Sequence, residues 1–321
     1  TTQWQISDLN DGLTWSGLDV AQRSFGQDPI VALAIIHREV WLLGSQTSEV
    51  WYNSGATFPF QPITGVFLHE GCGARDSVAA LGQTLYWVSQ NTQGARKVVR
   101  AAAGYQAERV STHAIEYALQ SYGTVSDAIG YGYQDQGHEF YVLTIPSAQV
   151  TWVFDQTTGL WHERGYWDRA LGVYQAQRPI SHAYAFGKHL VGDGTTGQVW
   201  EQDIRFTQDG DDTIRRMRRG VHMVEELDYL FYAALQIDLE VGVADVSAVT
   251  PPAIMMRYSD TGGKLWSNEH EVSAGLIGDY YARARFRRLG RGRDRVFEVS
   301  VSDAIPWRMV NAYIDGARGA S

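Results

Sequence analysis

The chain of 321 residues holds a single cysteine, Cys72, so no disulfide can close within it. That suits assembly in a reducing compartment, although missing disulfides are weak evidence alone. Long apolar runs are also absent: none approaches the ~18 residues of a membrane span, and no signal-peptide pattern opens the chain. The nine histidines are scattered. They form neither a His-Glu-x-x-His pattern nor a Cys/His cluster, so no metal motif is present. Phosphate-cradling loops are missing too. Gly290-Arg291-Gly292 is not followed by the glycine and helix of a dinucleotide fingerprint. Lysine is scarce, 3 against 24 arginines. No cofactor, metal or catalytic residue is expected.

What remains is a chain built for β structure. Hydrophobic residues make up 44%, enough for a real core and against disorder. The 11 Trp, 17 Tyr, 11 Phe and 33 Gly fit many strands joined by tight turns. Formal net charge is -9, which disfavours whole-surface binding of polyanions and leaves local basic patches open. The chain starts at Thr1 without methionine and enters strand-like Trp4-Gln5-Ile6 almost at once. We therefore expect further residues to precede it.

One stretch organises the rest. Val31–Ile36, Val40–Leu43 and Val50-Trp51-Tyr52 are short, β-branched and aromatic runs separated by polar turns, which predicts an antiparallel meander. Its last hairpin, LLGSQTSEVW (Leu42–Trp51), recurs as WVSQNTQGARKVV (Trp87–Val99), VFDQTTGLW (Val153–Trp161), LVGDGTTGQVW (Leu190–Trp200) and MRYSDTGGKLW (Met256–Trp266). Further apolar runs, Ser77–Leu81, Ala128–Tyr133 and Ile180–Phe186, precede copies of it. Aromatic-tipped meanders about 40 to 65 residues apart predict stacked, propeller-type blades, with an irregular β-sandwich as the alternative. One helix is expected after Ser111-Thr112, with Ile115, Leu119 and Tyr122 on one face and an end at Gly123.

Composition shifts after the acidic turn Gln208–Asp212 and the run Arg215, Arg216, Met217, Arg218, Arg219. This places propeller-like blades in residues 1–220 and a C-terminal β module in 221–321. Longer strands are expected there at Leu230–Val241, Ala253–Tyr258, Tyr280–Leu289, Arg295–Ser302 and Trp307–Ile314. The module contains a degenerate Asp-box, a turn found in sialidase-type propellers. Ser259, Gly263 and Trp266 are in place, Asp260 comes one position early, and Leu265 replaces a threonine. A second partial copy is Asn10–Trp15. Such a box is a folding device, in which a carboxylate closes a turn on backbone N–H groups and the tryptophan is buried. It says nothing of hydrolysis. Among 36 Asp and Glu, no pair stands out as the facing carboxylates of a glycosidase.

Arginine carries the other signal. Arg283, Arg285 and Arg287 alternate with Ala282, Ala284 and Phe286, so a strand puts guanidinium groups on one face. Arg288 continues the run. Three readings are open for these residues: a solvated face paired with acids, a subunit interface with an acidic neighbour, or phosphate contact with DNA. Arg215, Arg216, Arg218 and Arg219 are candidates for the same interface. Cys72 between two glycines reads as a packed thiol, and His69-Glu70 and His162-Glu163 as surface hydrogen-bonding pairs.

Several long motifs carry a resemblance: HREVWLLGSQTSEVWYNSG (His37–Gly55), GCGARDSVA (Gly71–Ala79), STHAIE (Ser111–Glu116), GHEFYVLTIPSAQVTWVFDQTTGLWHER (Gly137–Arg164), HLVGDGTTGQVW (His189–Trp200) and RRLGRGRDRVFEVSVSD (Arg287–Asp303). From about Asp19 to Asp315 the chain resembles the packaged-DNA stabilisation protein, or tail nozzle, of short-tailed bacteriophages. The resemblance implies a non-enzymatic structural protein of the virion tail, assembled in the host cytoplasm. It implies a homo-oligomeric ring, typically of six copies, below the portal and adaptor. Such a ring extends the DNA channel and helps retain packaged DNA until ejection, with weak contact to the passing genome. The alternative is a propeller-type tail protein that binds or processes carbohydrate of the host envelope.

Overall fold

The computed structural model describes residues 1–93, 96–101, 105–226, 228–239, 251–276, 283–306 and 308–319. The chain is nearly all antiparallel β structure and divides into two compact units, Thr1–Gln202 and Asp203–Ser321. That division falls earlier than the change in composition near residue 220, because the arginine strand Arg216–Arg219 pairs with Asp294–Val301 of the second unit.

Four sheets follow one another in the first unit. Ile30–Ile36, Glu39–Gly44, Ser48–Asn53 and Phe60–Leu68 form the first meander. In the second, Gly71–Cys72 and Ala79–Leu81 both pair with Thr84–Gln90, followed by Arg96–Ala101 and Ala107–Arg109. The third runs Ile129–Asp135, His138–Ile145, Val150–Asp155, Leu160–Asp168 and Val173–Ala176. The fourth runs Pro179–Ala185, Lys188–Asp193 and Val199–Gln202. The hairpins recur for local reasons. His37-Arg38, Gln136-Gly137 and Phe186-Gly187 all have positive φ at both central residues, the two-residue turn whose twist matches that of the strands.

The blades bury their faces against each other, as the propeller reading expects. Between the first two lie Trp41, Leu43 and Val50 against Cys72, Leu85 and Trp87. Between the second and third, Tyr86 stacks on Tyr141 at 5.1 Å, and the Tyr141 hydroxyl donates to Ser77 O at 2.7 Å. Close approach here requires glycine: a Cβ at Gly130 would lie 2.4 Å from Ser77 O, and one at Gly71 would lie 2.3 Å from Gln46 N. The third and fourth meet through Tyr131 and Tyr133 against His182 and His189, and the two imidazoles share a hydrogen bond of 2.9 Å. The expected helix spans His113–Ser121. Thr112 caps it by accepting from Ile115 N, and Ile115 and Leu119 are buried against the second blade.

Ahead of the blades, Gln3–Gln5 pairs with Val20–Gln22. Trp4 packs edge-on against Trp51 at 5.3 Å. Arg23 and Glu49, both with fully buried side chains, form an ion pair of 2.7 Å. Asp28 adds a second carboxylate at 3.1 Å from Arg23.

The second unit is a sandwich. One sheet orders Arg216–Arg219, Asp294–Val301, Ala253–Ser259 and His270–Ser273. In the other, Leu230–Leu239 pairs on one side with Ala284–Arg287 and Arg291–Gly292, and on the other with Met309–Arg318. The core lies between them and includes Leu235, Ile237, Phe286, Ile254, Met256 and Val299. The five expected strands are therefore present in outline. Val241, the expected strand start at Tyr280 to Ala282, and Trp307 lie outside the described residues.

The fifth copy of the hairpin is a correction. Ala253–Ser259 returns not through Trp266 but through His270–Ser273. Gly262 and Gly263 both adopt positive φ, and Tyr258 and Ser267 bridge the base of the resulting loop, which leaves Trp266 off the ladder.

Candidate interaction surface

The Asp-box-like loop shows how the sandwich uses its charges. Its turn is closed by the Ser259 hydroxyl, which accepts from Thr261 N at 3.2 Å and Gly263 N at 2.9 Å. Asp260 has a different task from the one expected of it: both its oxygens, each at 2.6 Å, hold Arg295. Arg295 is only 1% exposed, donates to the carbonyls of Leu289 and Arg291, and lies 3.9 Å above the Tyr258 ring. Trp266 is half-buried beneath two guanidinium groups, Arg219 at 4.9 Å and Arg257 at 4.7 Å. In the other partial copy, Asp11 does close its turn, on Leu13 N at 2.9 Å, but Trp15 is exposed.

The first arginine cluster is largely turned to internal work. Arg219 and Arg257 grip the buried Glu298 at 2.8 and 2.6 Å. Burial alone would raise the pKa of Glu298, but the bonds from Arg257 and Arg219 outweigh it and hold the carboxyl below its ordinary value. Arg215 pairs with Glu269 at 2.6 Å, and Arg216 caps the carbonyls of Ile305 and Asp303. Arg218 is exposed.

The second cluster is placed differently. On the strand Ala284–Arg287, Ala284 and Phe286 are buried while Arg285 and Arg287 are exposed, with Arg283 exposed just before them. Arg285 reaches Asp315 at 3.3 Å. Arg288 opens a tight turn, with φ of 60°, and is exposed. Arg291 and Arg293 follow, both stacked on Tyr229 at 4.6 and 4.5 Å. Beside them an open groove of about 430 Å³ is lined by Phe231, Ala233, Gly290, Asp315 and Ala317. The arrangement offers guanidinium forks around an apolar slot, suited to an acidic partner that also brings an apolar side chain. Alternation made the strand legible in sequence. Tyr229 and Phe231 were missed, because only the tertiary pairing of Leu230–Leu239 with Arg291–Gly292 brings them to the arginines.

Groups weighed for chemistry are otherwise engaged. Burial pushes the Cys72 thiol up to about 11, away from the reactive thiolate. Glu70 pairs with Lys97, and His162 accepts from Arg164 at 3.2 Å. Among the described residues, no three His, Cys, Asp or Glu converge as metal donors, and no helix is long and apolar enough to cross a membrane.

Sequence reasoning also missed a repeated turn of the first unit. Asp155, Asp168 and Asp193 each stand four residues before a glycine of positive φ, Gly159, Gly172 and Gly197. Each carboxylate accepts from backbone N–H groups of its own turn, such as Thr195 N at 2.7 Å and Thr196 N at 3.0 Å on Asp193. The pattern Asp-x-x-x-Gly occurs six times in the chain, so it does not by itself single out these three turns.

Comparison with known proteins gives two matches to family models. Residues 1–204 match "Bacteriophage P22 Gp10, beta-propeller" and residues 215–317 match "Bacteriophage P22 Gp10, beta-sandwich". No curated protein sequence matches. Among solved structures, a glycoside hydrolase family 43 arabinoxylan arabinofuranohydrolase from Bacillus subtilis aligns at TM-score 0.21 and 7% identity, over 92% of this chain and 69% of that one. The extracellular domain of a one-component system from B. thetaiotaomicron aligns at 0.22 and 9%, over 92% and 57%. Scores this low carry no argument about activity.

Proposed function

The chain belongs to the bacteriophage P22 Gp10 family of phage stabilisation proteins, and on that premise we propose that it is a structural component of the phage tail that helps hold packaged DNA in the virion. The observation that carries this reading is the match of both family models, propeller and sandwich, in order along the same chain.

The finer part of the proposal is a nozzle: a homo-oligomeric ring, most simply of six copies, below the portal and adaptor, through which the genome leaves. Two properties support it. Blades that lock through buried aromatics and glycine contacts make a stiff body, as a channel under internal pressure needs. The charge is also unevenly held: residues 1–202 carry 18 Asp and Glu against 11 Lys and Arg, whereas residues 203–321 carry 18 against 16. A channel faced by the acidic part would repel a polyanion and let it slide. The arginine surface of the sandwich then serves protein contacts. On this reading the protein assembles in the host cytoplasm and works without catalysis.

Mass photometry and negative-stain imaging of the purified chain test the proposal. Ring particles at a multiple of 35.8 kDa are expected. A protein that stays monomeric at micromolar concentration contradicts the ring, and a basic lumen in an assembled map contradicts the sliding channel.

A further inference from the structure

The loop between Gln3–Gln5 and Val20–Gln22 is oddly composed for a surface segment. Leu9, Leu13 and Leu18 are 91%, 94% and 92% exposed, and Trp15 is 54% exposed. Hydrophobic side chains scattered singly on a surface need no explanation, but four in one short loop mark a contact site. The loop is also shaped in advance. Asp11 accepts from Leu13 N and from the Thr14 hydroxyl, Trp15 Nε1 donates to Gly12 O at 3.0 Å, and Asp8 N donates to Thr14 O at 2.9 Å. Its ionisable side chains are Asp8, Asp11 and Asp19, with no basic residue between them.

The second unit presents the complement. Its open groove has Phe231 in the wall, 45% exposed, Asp315, which Arg285 reaches at 3.3 Å, and Arg291. Arg293 shares the Tyr229 ring with Arg291, and Arg287 and Arg288 are exposed where the chain pairs with Ala233 and Ala234. Among the described residues, none of Arg287, Arg288, Arg291 and Arg293 is paired with a carboxylate; Arg291 and Arg293 only stack on Tyr229. An apolar slot with unpaired guanidinium forks fits an apolar knob flanked by carboxylates.

We propose that the loop 8–19 of one copy docks on the arginine-rimmed groove of the second unit of a neighbouring copy. The contact joins two different patches, so it is head-to-tail, and repetition closes a ring when the rotation allows. It rests on the ring reading above and assigns the surfaces that build the ring. Leucine side chains fill the slot beside Phe231, while Asp8 and Asp19 face the rim arginines.

A charge swap tests the contact. Arg291→Glu with Arg293→Glu places like charges opposite the loop and should raise the concentration at which rings dissociate on the order of 100-fold, while far-ultraviolet circular dichroism shows the chain still folded. Adding Asp8→Arg to the same chain should restore rings. In parallel, Leu13→Cys with Ala317→Cys should give an oxidised ladder of linked copies, without background from the buried Cys72. Rings that persist in the Arg291→Glu, Arg293→Glu variant overturn the proposed contact and leave the ring reading standing. If that variant keeps its rings but loses salt-dependent binding to duplex DNA, the arginines serve nucleic acid and the proposal is overturned. If the wild-type chain forms no rings, the ring reading fails. The cysteine pair then decides the contact by itself, since a ladder supports it and its absence overturns it.

Discussion

Both units bury a carboxylate held by arginine, Glu49 by Arg23 and Glu298 by Arg219 and Arg257, but they differ in which group does most of the remaining tying. In the propeller the carboxylate is the organising group: Asp155, Asp168 and Asp193 each close a hairpin turn on backbone N–H groups, and Glu49 sits fully buried where Ser24 N, Trp51 Nε1 and Arg23 converge. In the sandwich the guanidinium takes that role. Arg295 ties Asp260 to two carbonyls beneath three aromatic rings, and Arg216 caps the carbonyls of Ile305 and Asp303. The reason is geometric. A carboxylate accepts from N–H groups that a tight turn points at one spot, whereas a guanidinium donates in several directions and can tie strands that are far apart in sequence.

Removing the buried arginine of each unit is the sharpest way to break the comparison. Arg23→Met strands Glu49 with 0% exposure and should cost about 3–5 kcal/mol. Arg295→Met leaves Asp260 partly in water, so the loss should be nearer 1–3 kcal/mol. Urea melts followed by hydrogen exchange in each unit would measure both, and equal losses would remove the distinction.

Blade contact is the next test. Gly130→Ala drives a methyl group into Ser77 O of the neighbouring blade and should cost about 1–3 kcal/mol in the propeller unit alone. Gly123→Ala, with open space around it, is the control and should change the melting point little. Backbone entropy favours alanine at both sites, so a similar loss from both would remove blade packing as the cause.

The smallest expected effect separates the units by pH. Burial of the His182 ring, then the neighbouring His189, holds the His182 pKa below its ordinary value. Tyr131, Tyr133 and Tyr184 surround this pair, with Asp135 at 4.0 Å from His189 and Arg164 bonded to the Tyr133 hydroxyl. The fold favours the neutral ring, so its contribution is present above about pH 6.5 and is lost as pH falls through the folded-state pKa. Thermal melts should show the propeller weakening as pH falls below about 6.5, with His162, whose pKa burial lowers to about 4, contributing as well, and His182→Gln should reduce that slope. An unchanged slope in the variant would assign the effect elsewhere.

Much of the propeller was legible from the chain alone. Its strands pair with their sequence neighbours, so alternation, aromatic tips and turn residues specify each meander locally, as in Val31–Ile36 and Val40–Leu43. The helix after Thr112 was readable for the same reason. The sandwich was legible only as a set of strands. Which strand meets which is decided across long separations, as when Arg216–Arg219 pairs with Asp294–Val301 and Leu230–Leu239 with Met309–Arg318. Nothing local marks those partners. For the same reason, sequence could place arginines on one face of a strand but could not tell Arg219, bound to a buried glutamate, from Arg291, open at the rim of a groove. A side chain's neighbours along the chain set its direction, and only the partner strand sets what it meets.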